Sequence, residues 1–460
     1  MAQRTAVLLV VGLTESVISD ATPALRAFRD AGRLRRLRPP LPAVTCTSQS
    51  TILTGLSPGG HGVVANGWYD RAYAEPRFWK QSAHLVHGER LWDTARRHDP
   101  AVTCASMFWW FNMHASAQYA VTPRPQYRAD GRKVPDCYSA PPQLRDTLQQ
   151  ELGPFPLFRF WGPGSSIEST RWIARAAARV DALHDPTLSL VYLPHLDYAL
   201  QKHGPDGPEA RRAAAELDPV LAGLIEHHRA RNARVMILSE YGIAAVDRPV
   251  HLNRALRQAG LLSVRHENAL EHLDPGASRA FALADHQVAL VYVARPQDVP
   301  HAAAVCRGVP GVEGVLDEAA QRALGLWHER SPELLAVAQP GAWFTYYYWL
   351  DDALAPDFAR TVDIHRKPGY DPCELFVDPR LGNPTLAVGH RLIRRKLGLR
   401  TLLDVIPLDA TLVRGSHGRV DPPGPSSPVL ITDERPTQGE PEVIDMSVVR
   451  RAILDALLSA

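Results

Sequence analysis

Short, continuously apolar runs recur in the first half of the chain. Residues 6–11 (AVLLVV), 188–197 (LSLVYLPHLD) and 233–238 (ARVMIL) are such runs. A run that is apolar at nearly every position is typical of a strand buried on both faces of a mostly parallel sheet. We therefore predict three core strands, the second of which delivers His195 and Asp197 at its carboxyl end.

Amphipathic segments with helix-terminating residues lie between these runs. We predict helices over residues 22–32, 88–98, 165–184 and 208–231, and a further strand over residues 101–108. The third helix is expected to begin with a capping box formed by Ser165 and Glu168. Alternating strands and helices predict an α/β fold, a doubly wound and mostly parallel sheet between helix layers, in which ligands bind beyond the carboxyl ends of the strands.

The pattern changes after residue 262 to short strands, Pro/Gly turns and the aromatic run WFTYYYWL at residues 343–350. That run fits a buried strand or a wall that stacks on substrate. Returning core strands are predicted over residues 402–413 and 428–432, and a closing helix over 447–458. The predicted organisation is an alkaline-phosphatase-like core over residues 1–262, an inserted cap or lid over 263–400, and a return to the core over 401–460.

The composition restricts the class of protein. The chain has 460 residues, 45% hydrophobic and 22% charged, with a net charge of +2. Such a balance predicts no nucleic-acid partner, and we interpret the basic stretch at residues 33–39 as solvated surface. The amino-terminal apolar run is too short to cross a bilayer. Five cysteines without a C-x-x-C pair favour a reducing compartment. We expect a cytoplasmic protein with no membrane partner, and homo-oligomers stay open.

A hydroxyl-rich stretch, residues 41–70, carries the first candidate chemistry. Residues 45–51 read TCTSQST, followed by a Thr-Gly turn and a His-Gly turn. This arrangement suits a nucleophile held near a strand end and backed by a helix. Ser and Thr also collect at turns and helix caps for local hydrogen-bonding reasons, so a helix N-cap is the alternative role for Thr45.

Six motifs occur in a recognisable order along the chain. They are LPAVTCTSQSTILTG, HGV, NGWYD, YLPHLDYALQKHGP, SEYGI and GSHG. In this order they resemble the nucleotide pyrophosphatase/phosphodiesterase and phosphonoacetate-hydrolase branch of the alkaline phosphatase superfamily. The resemblance implies a threonine nucleophile at Thr45 and metal ligands at Asp197 and His417.

Several positions depart from the family pattern. The resemblance aligns the first metal-binding Asp with Val11, a metal-binding His with Gln201, and an Asp-His pair with Glu240 and Tyr241. In the hydroxyl-rich stretch, the family's phosphate-binding Asn falls on Ser48 and the following His on Gln49. Through the resemblance we assign the substrate oxyanion to Cys46, Ser48, Gln49 and the helix start.

The altered positions change the expected metal content. Val11 cannot bind a cation, Gln201 offers only a neutral oxygen, and Tyr241 is an unusual ligand. One site is therefore expected to be weak, while Asp197 and His417, helped by Gln201 and Glu240, can hold an ion. Zinc and the harder manganese or magnesium ions are the candidates, and one or two ions stay open.

Other side chains are possible replacement ligands, with ordinary hydrogen-bonded roles as the alternative. Residues two apart on an extended segment face the same way, so His195 can accompany Asp197, and Asp363 can accompany His365. The Asp285-His286 pair is a further candidate. An ion pair of Glu240 with Arg248 or Arg254 is the alternative to a ligand role for Glu240.

These observations predict a metal-dependent hydrolase of phosphate esters or phosphodiesters, acting on a small phosphorylated metabolite, in which Thr45 attacks phosphorus. One alternative is a metal-poor, non-hydrolytic member of the fold that binds an anionic metabolite or partner enzymes. Another is a phosphonate or sulfate hydrolase, or a phosphoryl-transfer enzyme, because one fold supports many activities.

Overall fold

The computed structural model describes residues 2–129, 132–382, 401–434 and 441–459, with positions 386, 389, 391, 393, 394 and 397 between them. The carboxyl-terminal end of the predicted cap, positions 398–400, lies outside the described residues. Within the described part of the chain, no helix is long and apolar enough to cross a membrane.

A mixed sheet forms the centre of the molecule, and nine of its strands are described. In spatial order these are β23 (Val443–Asp445), β2 (Arg33–Arg38), β22 (Val429–Thr432), β11 (Arg234–Leu238), β1 (Thr5–Val10), β10 (Leu188–Leu193), β5 (Cys104–Met107), β6 (Tyr119–Pro123) and β9 (Cys137–Ala140). Strands β11, β1, β10, β5 and β6 run parallel, and β22 and β9 run antiparallel to their neighbours. The predicted doubly wound α/β sheet is confirmed.

Helices cover both faces of this sheet, because the central strands are apolar on both faces. The described helices are α1 (Pro23–Ala31), α2 (Thr45–Thr54), α3 (Pro58–His61), α4 (Leu91–His98), α5 (Gln143–Leu152), α6 (Leu157–Phe160), α7 (Ile167–His184), α8 (His195–His203), α9 (Pro208–Ala230), α10 (Leu252–Gln258), α11 (Val299–Arg307), α12 (Glu318–Ala323) and α13 (Val449–Leu458). Helices α1, α7 and α9 form one layer, and α2, α4 and α13 form the other.

A second, antiparallel sheet lies in the predicted cap. Its order is β16 (Ala280–Asp285), β17 (Val288–Val293), β19 (Leu334–Ala338) and β18 (Val312–Leu316). Helices α10 and α11 pack on it. This second sheet has its own apolar cluster. The cluster also includes Cys46 from α2 and Val413 from the segment that is predicted to return to the core. The division at residues 262 and 400 stays a prediction.

Short ladders and turns complete the fold outside the two sheets. Two-stranded ladders pair β3 (Gly67–Asp70) with β4 (Glu75–Phe78), β7 (Gln126–Tyr127) with β8 (Lys133–Val134), β12 (Ala244–Ala245) with β21 (Gly415–Ser416), β13 (Arg248–Val250) with β20 (Ala342–Phe344), and β14 (Val264–Glu267) with β15 (Leu270–Leu273). Single 3-10 turns occupy Glu15–Val17, Ala83–Leu85, Pro296–Asp298, Asp352–Leu354, Asp357–Arg360, Pro372–Leu375, Ala410–Leu412 and Met446–Val448.

Several local predictions are wrong. Helix α7 has Ser166 as its N-cap, while the Ser165 hydroxyl donates to the Gly162 carbonyl, so the Ser165–Glu168 capping box does not form. Residues 402–413 contain no strand and pack in the second apolar cluster. By contrast, the basic stretch that we interpret as solvated surface supplies β2, and its arginine side chains stay partly or fully exposed. Only the start of the aromatic run is a strand, although residues 343–349 are buried.

Candidate active site

Helix α2 is buried at all ten positions, and it begins at Thr45. Two of its hydroxyls are satisfied within the helix: Ser50 Oγ donates to the Cys46 carbonyl at 2.7 Å, and Thr54 Oγ1 donates to the Ser50 carbonyl at 2.6 Å. This local bonding explains how a hydroxyl-rich segment forms a buried helix. The N-cap is Val44, so the alternative role of Thr45 as a helix N-cap is wrong.

Three neighbouring parallel strands end beside the start of α2. Val11 follows β1, Glu240 and Tyr241 follow β11, and Asp197 lies in the first turn of α8 after β10. In this register Val10 pairs with Leu193, and Leu9 pairs with Leu238. The carboxyl ends of the three strands therefore meet at one edge of the sheet, where open α/β sheets bind ligands.

A hydrogen-bonded chain leads from Thr45 into this edge. Thr45 Oγ1 lies 3.2 Å from the Tyr241 hydroxyl, which donates to Asp197 Oδ1 at 3.3 Å. A phenol has one proton, and that proton is directed at Asp197. Thr45 is therefore the donor to Tyr241, and the chain runs from Thr45 through Tyr241 to Asp197.

Two carboxyl groups are buried here without a basic partner. Burial raises the pKa of Asp197 to about 6 and that of Glu240 to about 8. In the described part of the chain, no Lys or Arg pairs with either group, and Glu240 Oε1 has no hydrogen-bond partner. Arg254 pairs with Asp352 and Arg248 binds Gln339, so the predicted ion pair of Glu240 with either arginine is wrong.

His417 is buried in a stack of four rings. Its ring centroid lies 3.5 Å from that of Tyr241 and 3.6 Å from that of His286, and His286 in turn stacks on Tyr370 at 3.7 Å. His417 Nδ1 faces the Ala43 carbonyl oxygen at 2.8 Å and is therefore protonated. Burial lowers the pKa of His417 to about 3, so Nε2, which has no partner among the described residues, presents a lone pair.

A turn of the second sheet reaches into the site. Asp285 ends β16, and its carboxylate accepts from the backbone N–H of Asn66 at 2.8 Å and from the Asn66 side-chain amide at 3.0 Å. Asn66 Oδ1 accepts from the Cys46 N–H at 3.0 Å. His286 has a φ of 61°, a left-handed conformation that costs about 1–2 kcal/mol for a non-glycine residue. The sequence prediction missed Asn66, although it stands in the NGWYD motif.

Gln201 lies between Asp197 and Tyr370. Its amide donates to Asp197 Oδ2 at 2.8 Å, and its oxygen accepts from the Tyr370 hydroxyl at 2.8 Å. Gln201 is four positions after Asp197, so both lie on one face of α8. Both ends of the amide are therefore occupied, and Gln201 orients Asp197.

The predicted replacement ligands contact other residues. His195 Nε2 lies 3.1 Å from Glu216 Oε2, and His365 Nδ1 lies 3.3 Å from the Phe78 carbonyl oxygen. The backbone N–H of Asp363 donates to Glu374 at 2.9 Å, which places Asp363 beside Glu374. The expectation that His195 faces the same way as Asp197 is wrong, because both lie on a helix, where residues two apart point to different sides.

Of the predicted oxyanion-binding side chains, Gln49 is engaged at both ends of its amide. Gln49 donates to Glu240 Oε2 at 2.8 Å and accepts from the Trp110 N–H at 2.7 Å. The Ser48 N–H donates to the Val44 carbonyl, while Ser48 Oγ is buried without a partner in the described residues. Burial raises the pKa of Cys46 well above its usual value, so this residue is a neutral thiol. Asn66 is the amide that meets the start of α2.

Family membership follows from a match over most of the chain. The profile of the type I phosphodiesterase / nucleotide pyrophosphatase family matches residues 5–371. The chain belongs to this family. The match includes the start of α2, the three strand ends and the turn at Asp285, and the predicted alkaline-phosphatase-superfamily assignment is confirmed.

Solved structures of related fold support this assignment. Phosphonoacetate hydrolase from Sinorhizobium meliloti 1021, in complex with phosphonoformate, has a TM-score of 0.63 and 14% identity, over 99% of this chain and 96% of that one. An inactive threonine-to-alanine variant of murine ectonucleotide pyrophosphatase/phosphodiesterase 5, in complex with AMP, has a TM-score of 0.58 and 14% identity. The match covers 100% of this chain and 96% of the murine chain. At this identity the likeness shows the fold.

A curated relative shares more sequence over a shorter region. An uncharacterized pyrophosphatase/phosphodiesterase of Schizosaccharomyces pombe is 27% identical over 246 residues, which is 51% of this chain and 42% of that protein. The match thus spans less than half the length of the yeast protein.

Proposed function

We propose that this family member is a metal-dependent hydrolase of phosphate esters or phosphodiesters with Thr45 as the nucleophile. The observation that carries the proposal is the hydrogen-bonded chain from Thr45 through Tyr241 to Asp197 at the carboxyl ends of the central strands. Family membership supports the reaction class. The murine relative that carries AMP is inactive with its threonine replaced by alanine, which supports a threonine nucleophile.

Asp197, Glu240 and His417 fit a divalent cation. In the part of the chain that the structure describes, the two buried carboxyl groups have no basic partner, and His417 Nε2 and Glu240 Oε1 have no hydrogen-bond partner. Among the described residues these three do not bring their ligand atoms within 4.8 Å of one another. Val11 is buried and apolar, which favours one ion. Two carboxylates favour manganese or magnesium, with zinc as the alternative.

The chain's own residues account for the first chemical step. The Thr45 hydroxyl attacks phosphorus as its proton passes to Tyr241 and the Tyr241 proton passes to Asp197, while the bond from phosphorus to the leaving oxygen breaks. Water then hydrolyses the phosphothreonine and restores the hydroxyl. Proton transfer of this kind contributes about 10²–10⁴-fold. The cation, when bound, would neutralise charge that develops on the phosphoryl oxygens.

Asn66 and the start of α2 provide the neutral donors. The Asn66 amide lies between Asp285 and the Cys46 N–H, one residue from the nucleophile. The Asn66 NH₂ group has two hydrogens, one of which is donated to Asp285; the second, together with the positive end of the helix, would meet a phosphoryl oxygen next to Thr45. We assign Asn66 to the substrate and Asp285 to the positioning of Asn66.

The replaced ligands favour a second candidate function. Tyr241 stacks on His417, and Val11 offers no ligand, so a non-hydrolytic protein that binds an anionic metabolite is the alternative. Phosphonate or sulfate hydrolysis and phosphoryl transfer would use the same site. The metal content of the purified protein separates the hydrolase from the non-hydrolytic binding protein. Less than about a tenth of an equivalent of bound metal per chain, with no increase on titration, contradicts the metal-dependent enzyme.

The test of the nucleophile uses two threonines of one helix. Thr45→Ala should lower the hydrolysis of bis(p-nitrophenyl) phosphate by about 10³-fold or more with Mn²⁺, Mg²⁺ or Zn²⁺ supplied. Thr54→Ala is the matched control, because Thr54 lies at the other end of α2 and bonds the Ser50 carbonyl. Unchanged hydrolysis by Thr45→Ala contradicts the proposal, as does an equal loss in both variants.

A further inference from the structure

A cluster of metal-ligating side chains lies away from the candidate active site. Asp181 is in the last turn of α7, and His227 and His228 are in the last turn of α9. Asp181 also contacts Ser189, at the amino end of β10, whereas Asp197 follows the carboxyl end of that strand. The cluster and the active site are therefore at opposite ends of the sheet.

The three ligand atoms converge tightly. Asp181 Oδ2 lies 3.2 Å from His227 Nε2 and 3.3 Å from His228 Nδ1, and all three atoms lie within 4.8 Å of one another. In a tetrahedral zinc site with bonds of about 2.0–2.1 Å, neighbouring ligand atoms are about 3.3–3.4 Å apart. Two of the three separations therefore match the edges of a metal tetrahedron.

The electrostatics of the cluster favour a cation. Burial lowers the pKa of His228 to about 4, so this imidazole is neutral at pH 7. Arg231 donates to the Asp181 carbonyl and to the Asp185 carboxylate, and among the described residues no arginine pairs with the Asp181 carboxylate. Helices α7 and α9 both end here, and the carboxyl end of a helix attracts positive charge.

The surroundings resemble those of a metal-ligating carboxylate. Ser189 Oγ donates to Asp181 Oδ1 at 2.7 Å, which fixes the carboxylate and turns Oδ2 toward the histidines. The His227 side chain is 25% exposed, so an ion and a water ligand can enter from solvent. Asp181 and His228 are buried, so they need little ordering when an ion binds.

We propose that Asp181, His227 and His228 form a second metal site, which binds a divalent transition ion such as Zn²⁺ or Co²⁺ with water as the fourth ligand. Two nitrogens and one oxygen suit these ions better than magnesium or calcium. The bound ion ties the end of α9 to the end of α7. The site is independent of the hydrolytic reaction proposed for Thr45.

Metal binding to chelator-treated full-length protein tests this site. We expect wild-type protein to bind Zn²⁺ here, and Co²⁺ to give the visible absorption of a tetrahedral complex. His227→Gln should remove one equivalent and this spectrum while hydrolysis of bis(p-nitrophenyl) phosphate is retained. Ser189→Ala should weaken the affinity about 10–100-fold.

Two further variants make the result decisive. His184→Gln is the matched control, because His184 ends α7 nearby but stacks on Tyr119. His184→Gln should retain the equivalent of bound metal that His227→Gln loses. His417→Gln, in the candidate active site, should leave the tetrahedral Co²⁺ spectrum intact. The proposal is overturned if His227→Gln leaves the Co²⁺ spectrum unchanged, or if the wild type forms no tetrahedral Co²⁺ complex. Either result shows that Asp181, His227 and His228 form only a hydrogen-bonded cluster.

Discussion

Replacement of Asp285 by asparagine tests whether the second sheet positions the start of α2. Asp285 is fully buried and accepts two hydrogen bonds from Asn66, which in turn accepts from the Cys46 N–H. Asp285→Asn keeps the shape but turns an NH₂ group toward one of the two donors. Burial raises the pKa of Asp285 to about 7, so the comparison is made above pH 8, where the group is charged. A hydrogen bond to a charged group is worth about 1.5–3 kcal/mol, and the remaining donor loses its acceptor.

We expect that loss to appear in both stability and activity. If the displaced Asn66 no longer meets the phosphoryl group, about 1.5–3 kcal/mol corresponds to a roughly 10–100-fold lower kcat/KM. The assay is hydrolysis of a p-nitrophenyl phosphodiester with metal supplied, together with urea unfolding of the same samples.

Asp218→Asn is the matched control. Asp218 is also a buried carboxylate with two N–H donors, from Ala24 and Leu25 at 2.9 Å each, but it holds α1 against α9. It should lower stability by a similar amount and leave kcat/KM unchanged. The reasoning is refuted if folded Asp285→Asn keeps kcat/KM within about twofold, or if both variants lose activity equally.

Three further predictions concern single residues. Tyr241→Phe removes the hydroxyl between Thr45, the proposed nucleophile, and Asp197, the proposed proton acceptor. It should lower kcat by about 10²–10⁴-fold in the same assay, whereas a loss under about twofold contradicts the proton relay. Lys367→Met leaves the buried carboxylates of Asp371 and Glu374, 2.6 and 2.8 Å from Nζ, uncompensated; urea unfolding should show a loss of about 3–5 kcal/mol, and an unchanged midpoint contradicts it. His61 has its pKa lowered by burial from 6.5 to about 3, so the unfolded chain takes up the proton first as pH falls; stability should drop by about 2 kcal/mol more between pH 7 and 5 in wild type than in His61→Gln, and equal drops contradict it.

The strand ends of the site were predictable from local pattern. A continuous apolar run needs burial on both faces, so the strands before Glu240 and Asp197 were identified without any long-range information. The family motif then placed Thr45 beside them. Local pattern failed at residues 402–413, whose apolar side chains pack in the second cluster without strand pairing.

The tertiary structure decided which groups surround Thr45. The bond from Asp285 to Asn66 joins residues 219 positions apart, and the ring stack combines residues from both sheets. Helix geometry also separated His195 from Asp197, because the chain turns into α8 directly after the strand.

By itself the sequence determined the central sheet, the position of the segment that carries Thr45, and the replacement of several family ligands. Only the tertiary structure showed that Tyr241 connects Thr45 to Asp197, that Gln201 is occupied at both ends, and that a turn of the second sheet holds Asn66. The physical reason is that apolar periodicity reflects burial of each segment alone. Hydrogen-bond partners in a buried site depend on how distant segments pack against one another.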